Sequence, residues 1–290
     1  MNLKSFYCDN KETYPPFKNG SYLEEYFYQK YSTDNPTTKR KYIPALWTNF
    51  QIETWFKNKK NEMQKELDKW VSLNPSENGY FTVVQYDDGV LLKLPKNTIV
   101  YGACSGDIQI PLIYEDNKFT LEHITPKKFN DKSILCSFVG CLTGNHIKPN
   151  VREIMFNKLK NNKLYKLNCP GGWTPKVTKN NQDNFIKTTI NSKFALAPRG
   201  YGRNSFRFYE VLKLGTIPIY LWNDIEWLPY KDKIDYNKLC ISLHISNIDK
   251  LDDILLNITE DQYNKMLKYY EEIKNMFYLD GMYNYIVNSV

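Results

Sequence analysis

Histidine is scarce, long hydrophobic runs are missing, and paired metal-binding motifs do not occur. Each shortage closes off a class of function. The three histidines, His123, His146 and His244, stand alone, with no second His or Cys at a ligand-like spacing, so a structural zinc is not expected. The six cysteines at 8, 104, 136, 141, 169 and 240 form no C-x-x-C pair. The first residues show no basic end followed by an apolar stretch, as a secretory signal would. Free thiols and a cytoplasmic location are therefore expected. The longest apolar run, residues 134–142, is half of the about 18 to 20 residues a membrane helix needs. Mean hydropathy is -0.58, and no membrane span is expected. No Asp-x-Asp pair occurs anywhere, nor a block of five or six like charges.

Large side chains and a moderate positive charge are present instead. With 23 Tyr, 15 Phe and 6 Trp in 290 residues, and 42% hydrophobic residues, the chain can fill two cores of ordinary size. Net charge is +7, from 39 Lys and Arg against 32 Asp and Glu, which favours anionic partners by long-range attraction without naming one. The lysines are dispersed, as on a solvated surface.

Alternating strand and helix signals predict an α/β fold. In the first half, strands are expected at 3–8, 41–47, 81–86, 90–94 and 107–112, with helices at 22–31 and 53–70. Asp87-Asp88-Gly89 is a turn signal, so 81–94 reads equally as a hairpin. The polar stretch 116–132 reads as a linker. The second half restarts with a continuous apolar run at 133–139, suited to a strand buried on both faces. Helices are expected at 149–160, 182–190 and 204–214, alternating with strands at 164–167, 193–196 and 217–222. A last helix at 260–277 and a tail at 283–290 follow. Repeated strand-helix units imply parallel sheets, one per half, with ligands beyond the carboxyl ends of the strands in a cleft between the halves.

The segment 191–221 carries the chemistry. Arg199, Arg203 and Arg207 fall within nine residues, around Gly200 and Gly202, at the start of a helix. Glycines let backbone amides approach an anion, and a helix start presents unpaired N–H groups. Guanidinium forks bind phosphate oxygens in pairs. Together these describe a diphosphate seat. Glu210, one turn after Arg207, is placed to accept hydrogen bonds from ribose hydroxyls. The same two side chains also fit a plain surface ion pair.

The flanking residues resemble the exostosin family of glycosyltransferases, glycosyltransferase family 47. The matching positions are Ser192, Lys193, Phe194, Leu196, Pro198, Arg199, Gly200, Ser205, Phe206, Arg207, Tyr209, Glu210, Gly215, Ile217 and Pro218. The similarity extends more thinly to Trp227-Leu228-Pro229-Tyr230, to Ser137-Phe138-Val139-Gly140 with Arg152, and to residues 106–111. Residues 1–100 carry no such motif. Among members of the family, the chain is similar to the exostosin-like enzymes of large algal viruses.

The resemblance implies a GT-B fold, in which two Rossmann-like domains with parallel sheets face each other across a cleft. The divisions expected are 1–130 for the acceptor and 131–260 for the nucleotide-sugar donor, with 261–290 crossing back to the first domain. It implies inverting transfer of a sugar from a UDP-sugar, UDP-xylose being favoured on the viral similarity, to a hydroxyl of an oligosaccharide or glycoprotein glycan. No metal or other cofactor is expected, since the departing diphosphate would be neutralised by arginines and a helix start. Donor contacts are expected from Gly140, Asn145, Arg152, Arg199, Gly200, Tyr201, Arg203, Asn204, Ser205, Arg207 and Glu210. His146 is a further candidate, against an ordinary surface position, and Trp173 fits either a nucleobase platform or core filling. A base in the first domain should deprotonate the acceptor. Asp9 is placed for it at the end of a strand, with Glu12 and Asp107 as rivals, each also able to fix a turn. The alternatives are a non-catalytic nucleotide- or glycan-binding protein of the same fold and, less well supported, a nucleic-acid-binding protein. A binder would hold UDP without turnover, and a nucleic-acid protein would show steep salt dependence. No nucleic-acid partner is expected.

Overall fold

The computed structural model describes residues 4–7, 19–117, 121, 123–142, 150–169, 172 and 177–290. The chain forms two compact units, Met1–Lys118 with Asn275–Val290, and Phe119–Lys274.

In the first unit, β1 (Gly20–Tyr22) leads into α1 (Leu23–Asp34), followed by β2 (Lys41–Tyr42), α2 (Trp47–Gln51) and α3 (Phe56–Leu73). Then come β3 (Tyr80–Val84), β4 (Thr98–Gly102), β5 (Ile108–Gln109) and β6 (Tyr114–Asp116). Strands β2-β3-β4-β5 form a parallel sheet in chain order, and β1 pairs antiparallel with β6. Every residue of β3 is buried, as a strand covered on both faces must be. One core cluster gathers Phe6, Ile43, Trp47, Phe50, Met63, Leu67 and Val84. A second group of rings joins Phe27, Tyr31, Tyr42, Phe81 and Tyr101 at centroid spacings of 4.8–6.2 Å, the range in which aromatic pairs attract. Helix α9 (Leu279–Ser289) belongs to this unit. Tyr26 and Lys30 on α1 both reach Asp280, at 3.0 and 3.2 Å.

Residues 4–7 form a 3-10 turn and not a strand. The strand expected at 41–47 stops at Tyr42, because Pro44 removes a ladder donor and the chain turns into α2. The hairpin reading of 81–94 fails, since β3 pairs in parallel with β4. Residues 90–94 make no strand. Their backbone groups are taken by two glutamines: Gln51 accepts from Leu91 N at 2.7 Å and donates to Gly89 O at 2.8 Å, while Gln64 accepts from Lys93 N at 2.8 Å and donates to Lys93 O at 2.9 Å. Strands β1, β4 and β6 were not anticipated.

The second unit contains β7 (Ile134–Val139), α4 (Val151–Leu159), β8 (Tyr165–Asn168), α5 (Lys179–Ile190) and β9 (Ser192–Pro198). They are followed by α6 (Phe206–Lys213), β10 (Ile217–Trp222), β11 (Ile241–His244), α7 (Leu251–Asn257) and α8 (Glu260–Ile273). All five strands are parallel, in the order β8-β7-β9-β10-β11. Alternation along β7 explains its apolar run, in which Ser137 is the one polar residue. Cys136 and Phe138 enter the cluster lined by Val151, Met155, Leu196, Leu251 and Tyr263. Val139 enters a different cluster with Leu121, Phe185 and Leu214. Side-chain caps fix the helix starts around the sheet, Asn150 for α4, Thr178 for α5 and Ser205 for α6.

The division of the chain falls at 118/119, ahead of the expected 130/131. Leu121 and Ile124, read as linker, pack into the second core, and the Pro126 ring lies against Gly215. Helix α8 also stays with the second unit, because Tyr263 is fully buried there and donates to Gly215 O at 3.1 Å. Strand β11 and helix α7 went unforeseen.

Candidate functional site

Numbered within the second unit, the strand order is 2-1-3-4-5, so the chain reverses its direction of winding between β7 and β9. Such a switch point is where open parallel sheets bind ligands. Gly140 and Cys141 follow β7, and Arg199 through Asn204 follow β9. Register sets Leu221 of β10 beside Pro198 of β9, which brings the loop starting at Asn223 alongside.

Arg152, in the first turn of α4, ties the ends of the two strands together. Its Nη1 donates to Cys141 O at 2.9 Å and its Nε to Arg199 O at 3.2 Å. A Cβ at Gly200 would lie 3.1 Å from Arg152 Nη2, so a side chain there would press on that guanidinium. Arg199 is committed to protein partners. Its side chain is 3% exposed. Nη1 donates to Asn223 Oδ1 at 2.9 Å and to the Asp224 carboxylate, Nη2 donates to Tyr201 O at 2.8 Å, and Nε is buried with no hydrogen-bond partner among the described residues.

Arg203 and Arg207 are differently disposed, with side chains 28% and 25% exposed. Arg203 Nε meets Asp224 Oδ2 at 2.9 Å, and its guanidinium lies 5.7 Å from the Trp227 ring. Arg207 Nη1 donates to Glu210 Oε2 at 2.8 Å, and the guanidinium carbon sits 3.7 Å from the Phe185 ring centre, a cation–π stack that holds its plane. Ser205 accepts from Arg207 N at 3.3 Å and starts α6. Asn204 is buried, donating to Tyr209 Oη at 3.1 Å and accepting from Ser205 N at 2.8 Å. These two residues shape the helix start, whose partial positive charge adds to the two partly exposed arginines. Tyr201 is exposed at the rim.

Asp224 and Phe185 were missed by sequence reasoning, and Trp227 entered it as part of a family-like stretch and not as a site residue. In a parallel sheet the loop after one strand lies beside the loop after its neighbour. A carboxylate just past β10 was thus a traceable partner for arginines just past β9. Burial alone would raise the Asp224 carboxyl, but the Ile225 N–H and the two guanidiniums outweigh it and hold the group below the ordinary carboxylate range. The Glu226 carboxyl is likewise lowered against its burial, by Ser242 and Lys231.

Among the proposed bases, Asp107 is exposed on the loop between β4 and β5, where its Oδ2 accepts from Val100 N at 2.8 Å and its own N–H donates to Val100 O at 2.8 Å. That pair of bonds fixes a turn. Asp9, Glu12, Asn145, His146 and Trp173 lie outside the described residues. Among the described residues no group of three or more His, Cys, Asp or Glu is placed to hold a metal ion. No helix among them is long and apolar enough to cross a membrane.

Comparison with known proteins places this site inside a recognised domain. The Exostosin GT47 domain model matches residues 89–258, more than half of the chain. Exostosin-1 of Drosophila melanogaster is 38% identical over 73 residues, covering 25% of this chain and 9% of the relative. Human ribitol-5-phosphate xylosyltransferase 1 is 28% identical over 93 residues, covering 31% of this chain and 20% of the relative. The chain thus corresponds to a minor part of each relative's length. The crystal structure of TarM aligns with a TM-score of 0.42 at 14% identity, over 78% of this chain and 53% of that one.

Proposed function

The chain belongs to the exostosin GT47 family, and from that premise we propose that it transfers a glycosyl group from a nucleotide-sugar donor to a hydroxyl of a glycan. The observation that carries the reading is the pair of partly exposed arginines, Arg203 and Arg207, beside the α6 start at the switch point of a five-stranded parallel sheet. Fixed cations and oriented N–H groups suit a leaving group that gains negative charge as its bond to the sugar breaks. Glu210, held beside Arg207, is the candidate acceptor for ribose hydroxyls. Arg199, with its side chain 3% exposed and paired with Asp224, is assigned the support of the loop in this reading. Gly140, Arg152, Gly200, Tyr201, Asn204 and Ser205 shape the walls.

The donor is a UDP-sugar, with UDP-xylose first among candidates, a choice to which the partial likeness to a xylosyltransferase lends support. In the inverting reaction proposed, the acceptor oxygen forms a bond to the anomeric carbon as the bond from that carbon to the β-phosphate oxygen breaks. The phosphate oxygen keeps the electron pair, and the hydroxyl proton passes to a carboxylate base, with Asp9 and Glu12 as the candidates. Asp107 ranks last because its turn bonds occupy it. The acceptor is an oligosaccharide or glycoprotein glycan, and no metal takes part.

A panel of UDP-sugars assayed for release of UDP, with and without a glycan acceptor and with and without EDTA, tests this. Release from one donor, stimulated by acceptor and indifferent to chelator, is expected. UDP binding with no release from any donor would support a non-catalytic binder of the same fold, and loss of activity with EDTA would correct the metal-free mechanism.

A further inference from the structure

Of the three arginines in the loop after β9 and the helix it enters, Arg203 has the geometry of a guanidinium locked on one edge and open on the other. Three contacts hold it. Its backbone carbonyl accepts from Tyr220 Oη at 2.6 Å, its Nε donates to Asp224 Oδ2 at 2.9 Å, and its guanidinium lies 5.7 Å from the Trp227 ring. Trp227 is itself 4% exposed, and its backbone N–H donates to the same Tyr220 hydroxyl at 3.2 Å. The two Nη groups of Arg203 have no hydrogen-bond partner among the described residues.

Asp224 is what sets this orientation. Its other oxygen is taken by Arg199, a side chain 3% exposed and anchored further by Asn223 and Tyr201. The carboxylate therefore cannot swing with Arg203 into solvent, since it is tethered to a buried cation. Two guanidiniums against one carboxylate leave one positive charge uncompensated. Arg199 spends its terminal nitrogens on protein acceptors and its unpartnered Nε is buried, so the accessible open donors of this pair lie on the Arg203 terminal edge. A parallel pair of Nη donors is the arrangement that grips two oxygens of a phosphoryl group.

We infer that Asp224 is a positioning residue of the donor site, holding the open edge of Arg203 toward the diphosphate oxygens while Arg199 serves as the buried strut on which Asp224 rests. This deepens the donor-site reading given above and rests on it. Arg203 touches the ligand, and Asp224 acts through Arg203. An unheld arginine would lose rotamer freedom on binding, whereas this one has lost it already.

The test measures binding of UDP, inorganic pyrophosphate and uridine by calorimetry to the full chain and to Arg203→Ala, Asp224→Asn, Asp224→Glu and the Arg203→Ala/Asp224→Asn double variant. Arg203→Ala is expected to weaken UDP and pyrophosphate by about ten- to a hundredfold, the scale of one charge-assisted contact, and to leave uridine unchanged. Asp224→Asn should weaken the same two ligands several-fold and spare uridine. The double variant should lose no more than Arg203→Ala alone, because positioning has no value once the positioned group is gone. Asp224→Glu should recover part of the loss. Losses that multiply in the double variant, or an Asp224→Asn loss that extends equally to uridine, would overturn the inference and leave the donor site standing. If the unmodified chain bound neither UDP nor pyrophosphate, the donor-site reading and this inference would fall together.

Discussion

Replacing Glu24 with glutamine should change how the stability of the first unit responds to pH, by an amount that can be worked out. Glu24 lies in the first turn of α1, fully buried. Its carboxylate accepts from Thr48 N at 2.9 Å, Thr48 Oγ1 at 2.6 Å and Gln85 N at 2.6 Å. Burial penalises the charge more than these donors relieve it, and the pKa is pushed up from 4.5 to about 7. The folded state therefore holds a proton that the unfolded chain releases near 4.5. Stability from this group is complete below that value and is lost as pH rises through about 7. A displacement of this size corresponds to about 3 kcal/mol between about pH 4 and pH 8. A glutamine side chain at this position cannot ionise, and its amide nitrogen would face a donor that the carboxylate accepts, costing about 1 kcal/mol at any pH. Urea denaturation followed by hydrogen exchange at Thr48 and Gln85 should show Glu24→Gln less stable than the parent at about pH 4.5 and equal or more stable at about pH 8. A parent advantage that stays flat over that range, or grows as pH rises, would show that the donors match or beat burial, and the reasoning would be refuted.

Gly215→Ala should destabilise the second unit by about 2 to 4 kcal/mol in thermal unfolding, summing a left-handed residue at φ 62 and a Cβ 2.4 Å from Pro126 Cβ; a loss under about 0.5 kcal/mol would mean that Pro126 yields freely. Glu210→Ala should weaken uridine binding while sparing pyrophosphate, and equal losses for both would contradict the ribose role. Asp9→Asn should lower turnover by about two or more orders of magnitude with donor affinity intact, whereas full activity would redirect attention to Glu12.

The second unit was largely legible from its residues, and the first was not. Continuous apolar runs such as 134–139 and 217–222 form strands buried on both faces, and Gly215, directly after the helix expected at 204–214, ends it with a positive φ. In the first unit, short strands of two or three residues leave no periodicity to detect. Gln51 and Gln64 stand in for a missing strand at 90–94, a long-range exchange invisible in local pattern. The site was legible as a cluster of arginines around glycines but not as a division of labour. Spacing alone made Arg199, Arg203 and Arg207 equivalent, and it took the Asp224 carboxylate from the neighbouring loop to bury one and orient another.

The proposed transfer requires an anion seat beyond the carboxyl ends of β7 and β9. The most direct measurement is a crystal structure of the chain soaked with UDP. The account predicts diphosphate oxygens on Arg203, Arg207 and the α6 start, with the ribose beside Glu210. Density for UDP elsewhere, with these side chains unmoved and unliganded, would contradict it.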